Sequence, residues 1–517
     1  MISLTEFLVL IISILVPVYF WKKYNLTYWR RKNVAFVEPN ILLGNLYDIL
    51  KLSQSCAENL QDLYNHKNAE DQSVLGVYIL NKPALLIREP ELIRSILVKN
   101  FNKFSNRYAT TDDKGDTLGS GTLFFIKNPH WKELRTKLTP VFSSGKIKQM
   151  FPLMQDVGDE LDKYLCKFEV DKDNSFIQEV KEVCALYTTD VIATVAFGIQ
   201  ANSLRDPEAD FRRNGRTIFH FTYLRAIEFV TVFFVPYIAK LLKCKVFPKE
   251  SAKFIRTTIN YVMDERIKSG NTRNDLIDVL IAFKKSAELE NDTDHLAMNN
   301  EILVAQAGIF FIAGYETSSA TMSFCLYELS KYPEIQKKLR GEIRDALIKT
   351  DGNITYETLN EMEYLNMVIM EVLRLYPPLP FLDRTCTLPS GEKEFSFKPE
   401  LDLDIPNHMG VFIPVFGIQR DSKFFPNPDQ FDPERFSAEN KSNIKPFTYM
   451  PFGLGPHSCI GERFGLVQAK IGLINVLRSH YVTDCDKSHS KMIFDPKAMI
   501  IQSKGGIFCK FVRDPLI

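Results

Sequence analysis

At 517 residues the chain is long enough for several domains, yet no linker-like stretch divides it, so one large unit is the simplest reading. Its 64 basic and 63 acidic residues leave a net charge of +1, which gives no electrostatic footprint for a nucleic-acid partner. The nine cysteines are odd in number, scattered and without paired C-x-x-C spacing, which argues against a disulfide framework or a zinc site and suits a reducing compartment.

From Leu4 to Trp21 the chain is almost wholly apolar, interrupted by Thr5, Glu6, Ser13 and Pro17, and is just long enough to span a bilayer. A cleaved signal would show a basic stretch before the apolar run and small residues at a cleavage site; neither is present, so residues 1–22 predict a retained anchor. Lys22, Lys23, Arg30, Arg31 and Lys32 follow it, and the positive-inside rule then places everything from Lys22 onward in the cytoplasm. Residues 23–45 read as a basic and hinge linker, punctuated by Pro39 and Gly44, ahead of one main domain over 46–517.

Ser73–Leu80 and Ala84–Arg88 are apolar, β-branched-rich runs separated by Asn81-Lys82-Pro83, which predicts a hairpin. From Trp131 to about Tyr376 helical periodicity dominates. Trp131 and Arg135 lie four apart on a helix opening after Asn128-Pro129, so indole N–H and guanidinium point the same way, an arrangement suited to a carboxylate. Lys132, Lys137, Lys146 and Lys148 gather on the same stretch and offer a basic surface to an acidic partner. Phe229–Leu242 is strongly apolar but broken by Pro236; too short to span, it reads as an interfacial segment or as a buried core helix.

Asn299–Lys331 predicts one long helix whose centre, Ala313-Gly314-Tyr315-Glu316-Thr317, sets small residues beside an acid and a hydroxyl able to relay protons. The alternative is a solvated glutamate and a threonine bonded back to its own helix. Glu371-x-x-Arg374 puts opposite charges on one helical face, just before a stop at Pro377-Pro378. Strand-like stretches return at Val411–Phe416 and at Met492–Val512, giving a mainly α fold with small β-sheets.

The most informative run is Phe452-Gly453-Leu454-Gly455-Pro456-His457-Ser458-Cys459-Ile460-Gly461. Gly455 and Gly461 let backbone approach a ligand closely, successive N–H groups can hold a thiolate at Cys459, and such a loop can wrap a large flat cofactor. Read alone, Cys459 could also be an ordinary buried cysteine beside a loop.

The spacing Phe-x-x-Gly-x-x-x-Cys-x-Gly resembles the haem-binding signature of the cytochromes P-450, and the likeness runs from the anchor to the C-terminus. It implies a single cytochrome P-450 catalytic domain holding haem b (iron protoporphyrin IX), with Cys459 as thiolate ligand to the iron and Phe452, Gly455, His457 and Gly461 around the cofactor. Glu316 and Thr317 match the family's acid–threonine pair, Trp131 and Arg135 a propionate site, and Arg384 a second propionate ligand. Glu371 and Arg374 with Arg435 of Pro433-Glu434-Arg435-Phe436 match a structural Glu-Arg-Arg network. His457 stands where the family usually has arginine; an imidazole on a propionate is expected to have a raised pKa, so haem retention is expected to fall as pH rises. The runs Phe197–Leu204 and Phe211–Arg216 resemble the insect microsomal members, above all family six, which oxidise plant toxins and insecticides. The resemblance implies a lipophilic substrate in a pocket drawn from Asp113–Phe125, Phe310–Thr317, Leu379–Phe381 and Met499–Gly506, and O2 as co-substrate. It also implies an endoplasmic reticulum membrane location. No Gly-x-Gly-x-x-Gly follows a strand, so NADPH is expected to act through a partner, NADPH-cytochrome reductase, with cytochrome b5 as a second partner. Hormone or lipid metabolism, a peroxide isomerase or dehydratase, and a non-catalytic haem sensor are the alternatives on the same fold.

Overall fold

The computed structural model describes residues 3–273, 275–290 and 299–517. Its first helix, α1 (Leu4–Asn25), opens on a capping box between Ser3 and Glu6 and buries none of its residues. Among the described residues it is the one unbroken helix long and apolar enough to cross a membrane, with a mean hydropathy of 2.1. At about 1.5 Å per residue such a helix matches a hydrocarbon core of ~30 Å.

The stretch behind it is not a free linker. Trp29 is fully buried, its indole N–H donates to the Val77 carbonyl at 3.0 Å, and it covers Gly76, where an added Cβ would lie 2.4 Å from the ring. Val37 and Asn45 donate to the carbonyls of Gly76 and Tyr78. The expected hinge is thus folded onto the main domain from Trp29 onward, because a glycine in an edge strand offers a flat seat to an indole.

That edge strand is β1 (Val74–Ile79), which forms the expected hairpin with β2 (Lys82–Ile87). The chain reverses at Leu80-Asn81, with Leu80 at a φ of 55°, and Pro83 lies inside β2. The proline is tolerated because the parallel neighbour β5 (Gly410–Ile413) begins pairing only at Ala84. With β4 (Leu382–Thr385) antiparallel to β5, the sheet order is β1-β2-β5-β4. A second, antiparallel sheet runs β3 (Ser175–Glu179), β7 (Phe508–Arg513), β6 (His480–Thr483). Two expected strands are shorter than their apolar runs. Beyond Ile413 the chain enters a helical turn at Val415–Ile418 behind Pro414, and between Met492 and Ile507 the only pairing is one bridge from Phe494 to Ser503.

Helices carry the rest: α2 (His130–Leu138), α3 (Ser144–Cys166), α4 (Val180–Ile192), α5 (Asp210–Phe219), α6 (Tyr223–Phe234), α7 (Asn300–Lys331), α8 (Glu363–Leu375) and α9 (Glu462–Leu477). The axle is α7, 32 residues long and capped by Asn299, whose side chain accepts the Ile302 N–H. Its residues are apolar or small on all sides, so it is buried on most faces, with α4 and α9 packed along it. The Phe229–Leu242 run divides. Phe229, Val230 and Val232–Val235 belong to the core, whereas Leu241 and Leu242 are exposed, as are Tyr223 and Leu224 at the start of α6.

Candidate active site

The site is built from below by α8. Glu371 and Arg374, one turn apart, are both fully buried and bond in the two-pronged manner that a guanidinium and a carboxylate allow, Nε to Oε2 and Nη2 to Oε1 at 2.7 Å each. The same carboxylate accepts the Asp432 N–H at 3.0 Å and faces Arg435 Nε at 3.4 Å. Arg374 then donates to the carbonyls of Gln419, Pro428 and Gln430, so one buried pair fixes the irregular chain between the β5 region and the cysteine loop. Gln419, which the sequence did not single out, extends the frame: its amide donates to Leu373 and Arg374 carbonyls and accepts the Met450 N–H.

The loop that follows turns through Gly453 and Gly455, at φ of 69° and 73°. Gly455 serves a different purpose from the one expected. An added Cβ there would lie 2.2 Å from the Leu97 carbonyl, so its glycine lets the loop pack against that backbone, and it does not face the central cavity. Phe452, Gly453, Cys459 and Gly461 do line the cavity. Cys459 is exposed on that cavity, which its side chain lines. Burial raises the thiol pKa, while the Gly461 N–H, Arg135 and Arg107 favour the thiolate.

A cationic rim stands to one side. Trp131 and Arg135 of α2 line the cavity together, as their spacing predicts. Arg384, on β4, is buried; its Nη1 donates to the Asp383 carbonyl, its Nε has no hydrogen-bond partner, and burial with Arg107 nearby lowers it to about 9. Arg107 was missed by the sequence reading. It lines the cavity, lies over the Phe124 ring at 4.0 Å, and its Nε is likewise buried without a partner. His457 stacks on Trp131 with centroids 3.7 Å apart and shares a 2.7 Å hydrogen bond with the Ser105 carbonyl. Burial, then Arg384 and Arg107, push its imidazole down to about 2.

The roof is the middle of α7. Ala313, Gly314 and Thr317 face the cavity, and the Thr317 hydroxyl donates to the Ala313 carbonyl at 2.7 Å. Glu316 does not share that face. It is buried against Lys181 Nζ and Gln502 Nε2, each at 2.9 Å, on a second cavity. At 3.6 residues per turn, neighbouring side chains point ~100° apart, so an acid and a hydroxyl adjacent in sequence look in different directions. The predicted pocket is corrected in the same way. Leu123, Phe124, Phe310 and Leu379 line the central cavity, but Ile501, Gln502, Ser503 and Gly506 line the second one. Of the lysines expected to form a docking face, Lys137 pairs with Glu133 at 2.9 Å and Lys148 pairs with Glu357, while Lys132 is exposed.

The central cavity runs between mostly apolar walls, as ligand sites do. Arg107 and Arg135 line it, while the buried Arg384 expected beside them lies outside that lining; Asp383 is the one carboxylate on Arg107, and the Nε atoms of Arg107 and Arg384 are orphaned. Buried charges of this kind call for anions. Among the described residues no group of three or more His, Cys, Asp or Glu converges to hold a bare ion. A flat cofactor bearing its own carboxylates and taking one thiolate from below fits this donor set, which defines a haem-thiolate protein. The cytochrome P-450 family model matches residues 36–511. Over 515 residues the chain is 49% identical to the probable cytochrome P-450 6g2 of Drosophila melanogaster, covering 98% of this chain and 99% of that one. It is 41% identical to that fly's probable cytochrome P-450 6v1 (99% of each chain) and 38% identical to cytochrome P-450 6k1 of Blattella germanica (99% and 98%). The chain belongs to the cytochrome P-450 family and is a monooxygenase of the haem-thiolate class.

Proposed function

We propose that the chain is a membrane-anchored monooxygenase of the endoplasmic reticulum that oxidises lipophilic foreign compounds with electrons drawn from NADPH through a separate reductase. The observation that carries this reading is the single apolar cavity joining the Cys459 sulfur on its floor to the Thr317 hydroxyl on its roof. When bound there, haem would supply dioxygen binding and O–O cleavage, favoured by electron density from a thiolate ligand.

Each residue of the chain then has a definite task. Cys459 offers the sulfur ligand; burial raises its thiol pKa, and the Gly461 N–H, Arg135 and Arg107 act in the opposite direction, toward the thiolate. Trp131, Arg135, Arg384 and Arg107 would hold the propionates, and the His457 ring packs against Trp131. Thr317, already turned into the cavity, holds a proton at Oγ1 over the reacting face, whereas Glu316 contributes only if it leaves Lys181. Phe124, Phe310 and Leu379 exclude water and favour an apolar substrate. The basic residues after α1 and the exposed Tyr223, Leu224, Leu241 and Leu242 keep the domain on the cytoplasmic membrane surface, where such substrates concentrate.

The test is reconstitution with an NADPH-dependent reductase and lipid, using plant toxins, insecticides and steroids as spectral-shift ligands and then as substrates. Product formation that requires NADPH, reductase and dioxygen, with a preference for foreign compounds, is expected. Turnover of a peroxide without NADPH would replace the reading with an isomerase.

A further inference from the structure

The segment Ser105–Ala109 touches every element of the cationic rim. Its Ser105 carbonyl meets His457, and the Asn106 carbonyl accepts the Thr385 N–H at 2.9 Å beside Arg384. Asn106 Oδ1 accepts the Asn128 N–H at 2.8 Å, just before the helix of Trp131 and Arg135. What holds this segment is a pair of side chains, Lys127 and the Asp383 already met beside Arg107. Lys127 Nζ donates to the carbonyls of Arg107 at 2.6 Å and Ala109 at 2.7 Å. From the other side the buried Asp383 carboxylate accepts the Ala109 N–H at 2.9 Å and faces Arg107 Nη1 at 3.4 Å. A lysine and an aspartate thus hold the same two residues, Lys127 through both carbonyls and Asp383 through the Ala109 N–H and the Arg107 guanidinium, so Arg107 is held at its backbone and at its side chain.

We propose that Lys127 and Asp383 are positioning residues which clamp the Arg107–Ala109 backbone and so present the Arg107 guanidinium to the cofactor's carboxylates. This rests on the haem reading given above. Neither residue lines the cavity, so each acts through Arg107. The aspartate has a second effect: as the one carboxylate on Arg107, it keeps that side chain charged against the cost of burial.

The experiment measures haem transfer from the holoprotein to excess apo-myoglobin for Lys127→Met, Arg107→Met, Asp383→Asn, Arg135→Met and the two doubles Lys127→Met/Arg107→Met and Lys127→Met/Arg135→Met. The carbon monoxide band of the unmodified protein is recorded first; without it the haem reading fails and the clamp falls with it. Given that band, Lys127→Met and Arg107→Met should each speed haem loss by about tenfold, the size of one charge-assisted hydrogen bond, with Asp383→Asn between them and the parent. The Lys127–Arg107 double should be no faster than Arg107→Met alone, while the Lys127–Arg135 double should multiply, since groups acting through one another are non-additive and independent ones add. Equal multiplication in both doubles would show general loosening and overturn the proposal, as would an unchanged rate in Lys127→Met.

Discussion

The floor and the roof of the central cavity are built on opposite principles. Beneath it, Glu371, Arg374, Arg435 and Gln419 form a buried polar frame in which one carboxylate serves two guanidiniums and a backbone N–H, leaving the chain to Cys459 little freedom. Above it, α7 offers Ala313, Gly314 and the hydroxyl residues Thr317, Ser318 and Thr321, with the charged Glu316 turned away to Lys181. The floor fixes a sulfur in place. The roof leaves room for dioxygen and substrate and presents hydroxyls but no charge. Stability and chemistry are therefore expected to separate: substitutions below should cost folding and haem content, those above should cost coupling.

The largest effect is expected from Arg374→Ala. It strands the Glu371 carboxylate in a fully buried place, a change that costs about 3 to 5 kcal/mol. Denaturant midpoint and haem content should fall together; a variant with normal haem content would break the contrast. Next is Thr317→Ala, which should leave stability and substrate binding almost unchanged while raising peroxide released per NADPH consumed. Unchanged coupling, from product and peroxide assays run side by side, would remove the hydroxyl from the chemistry. Glu316→Gln should uncouple less than Thr317→Ala, because Glu316 opens on the second cavity, and should lower stability modestly by releasing Lys181. A larger uncoupling than at Thr317 would mean that the carboxylate turns to the central cavity during turnover.

The smallest effect belongs to neither region and sets a baseline for both. His480 is fully buried, its ring edge-on to those of Phe176 and Phe511, and burial lowers its pKa from 6.5 to about 4. Between those values the unfolded chain binds a proton that the folded chain refuses, so this contribution to stability is full above 6.5 and is lost as pH falls toward 4. His480→Phe should flatten that part of the stability profile without altering coupling; an unchanged profile would place the acid sensitivity elsewhere.

What could be read from the sequence follows the range of the interactions. The cysteine loop was legible because a thiolate in a glycine-rich turn is a local pattern, and Trp131 with Arg135 because helix spacing alone aligns them. Glu371 and Arg374 were legible once their place before Pro377 and ahead of Arg435 was weighed. Arg107, Gln419 and Lys181 were not, since their partners lie far along the chain and no spacing announces them: Asp383 is 276 residues from Arg107, and Gln419 caps α8 from 45 residues away. Gly455 was assigned to a ligand when it answers to the Leu97 carbonyl, a contact that only packing creates. Glu316 was paired with Thr317 by adjacency, although helix geometry already turned the two apart.

The central claim is that Cys459 supplies the thiolate to a haem in this cavity, and the carbon monoxide difference spectrum of the ferrous protein tests it most directly. The red-shifted Soret band of thiolate ligation is expected in the unmodified protein and lost in Cys459→His, with Cys485→Ser unchanged. A band that survives Cys459→His, or disappears with Cys485→Ser, would contradict the assignment and the floor-and-roof account built on it.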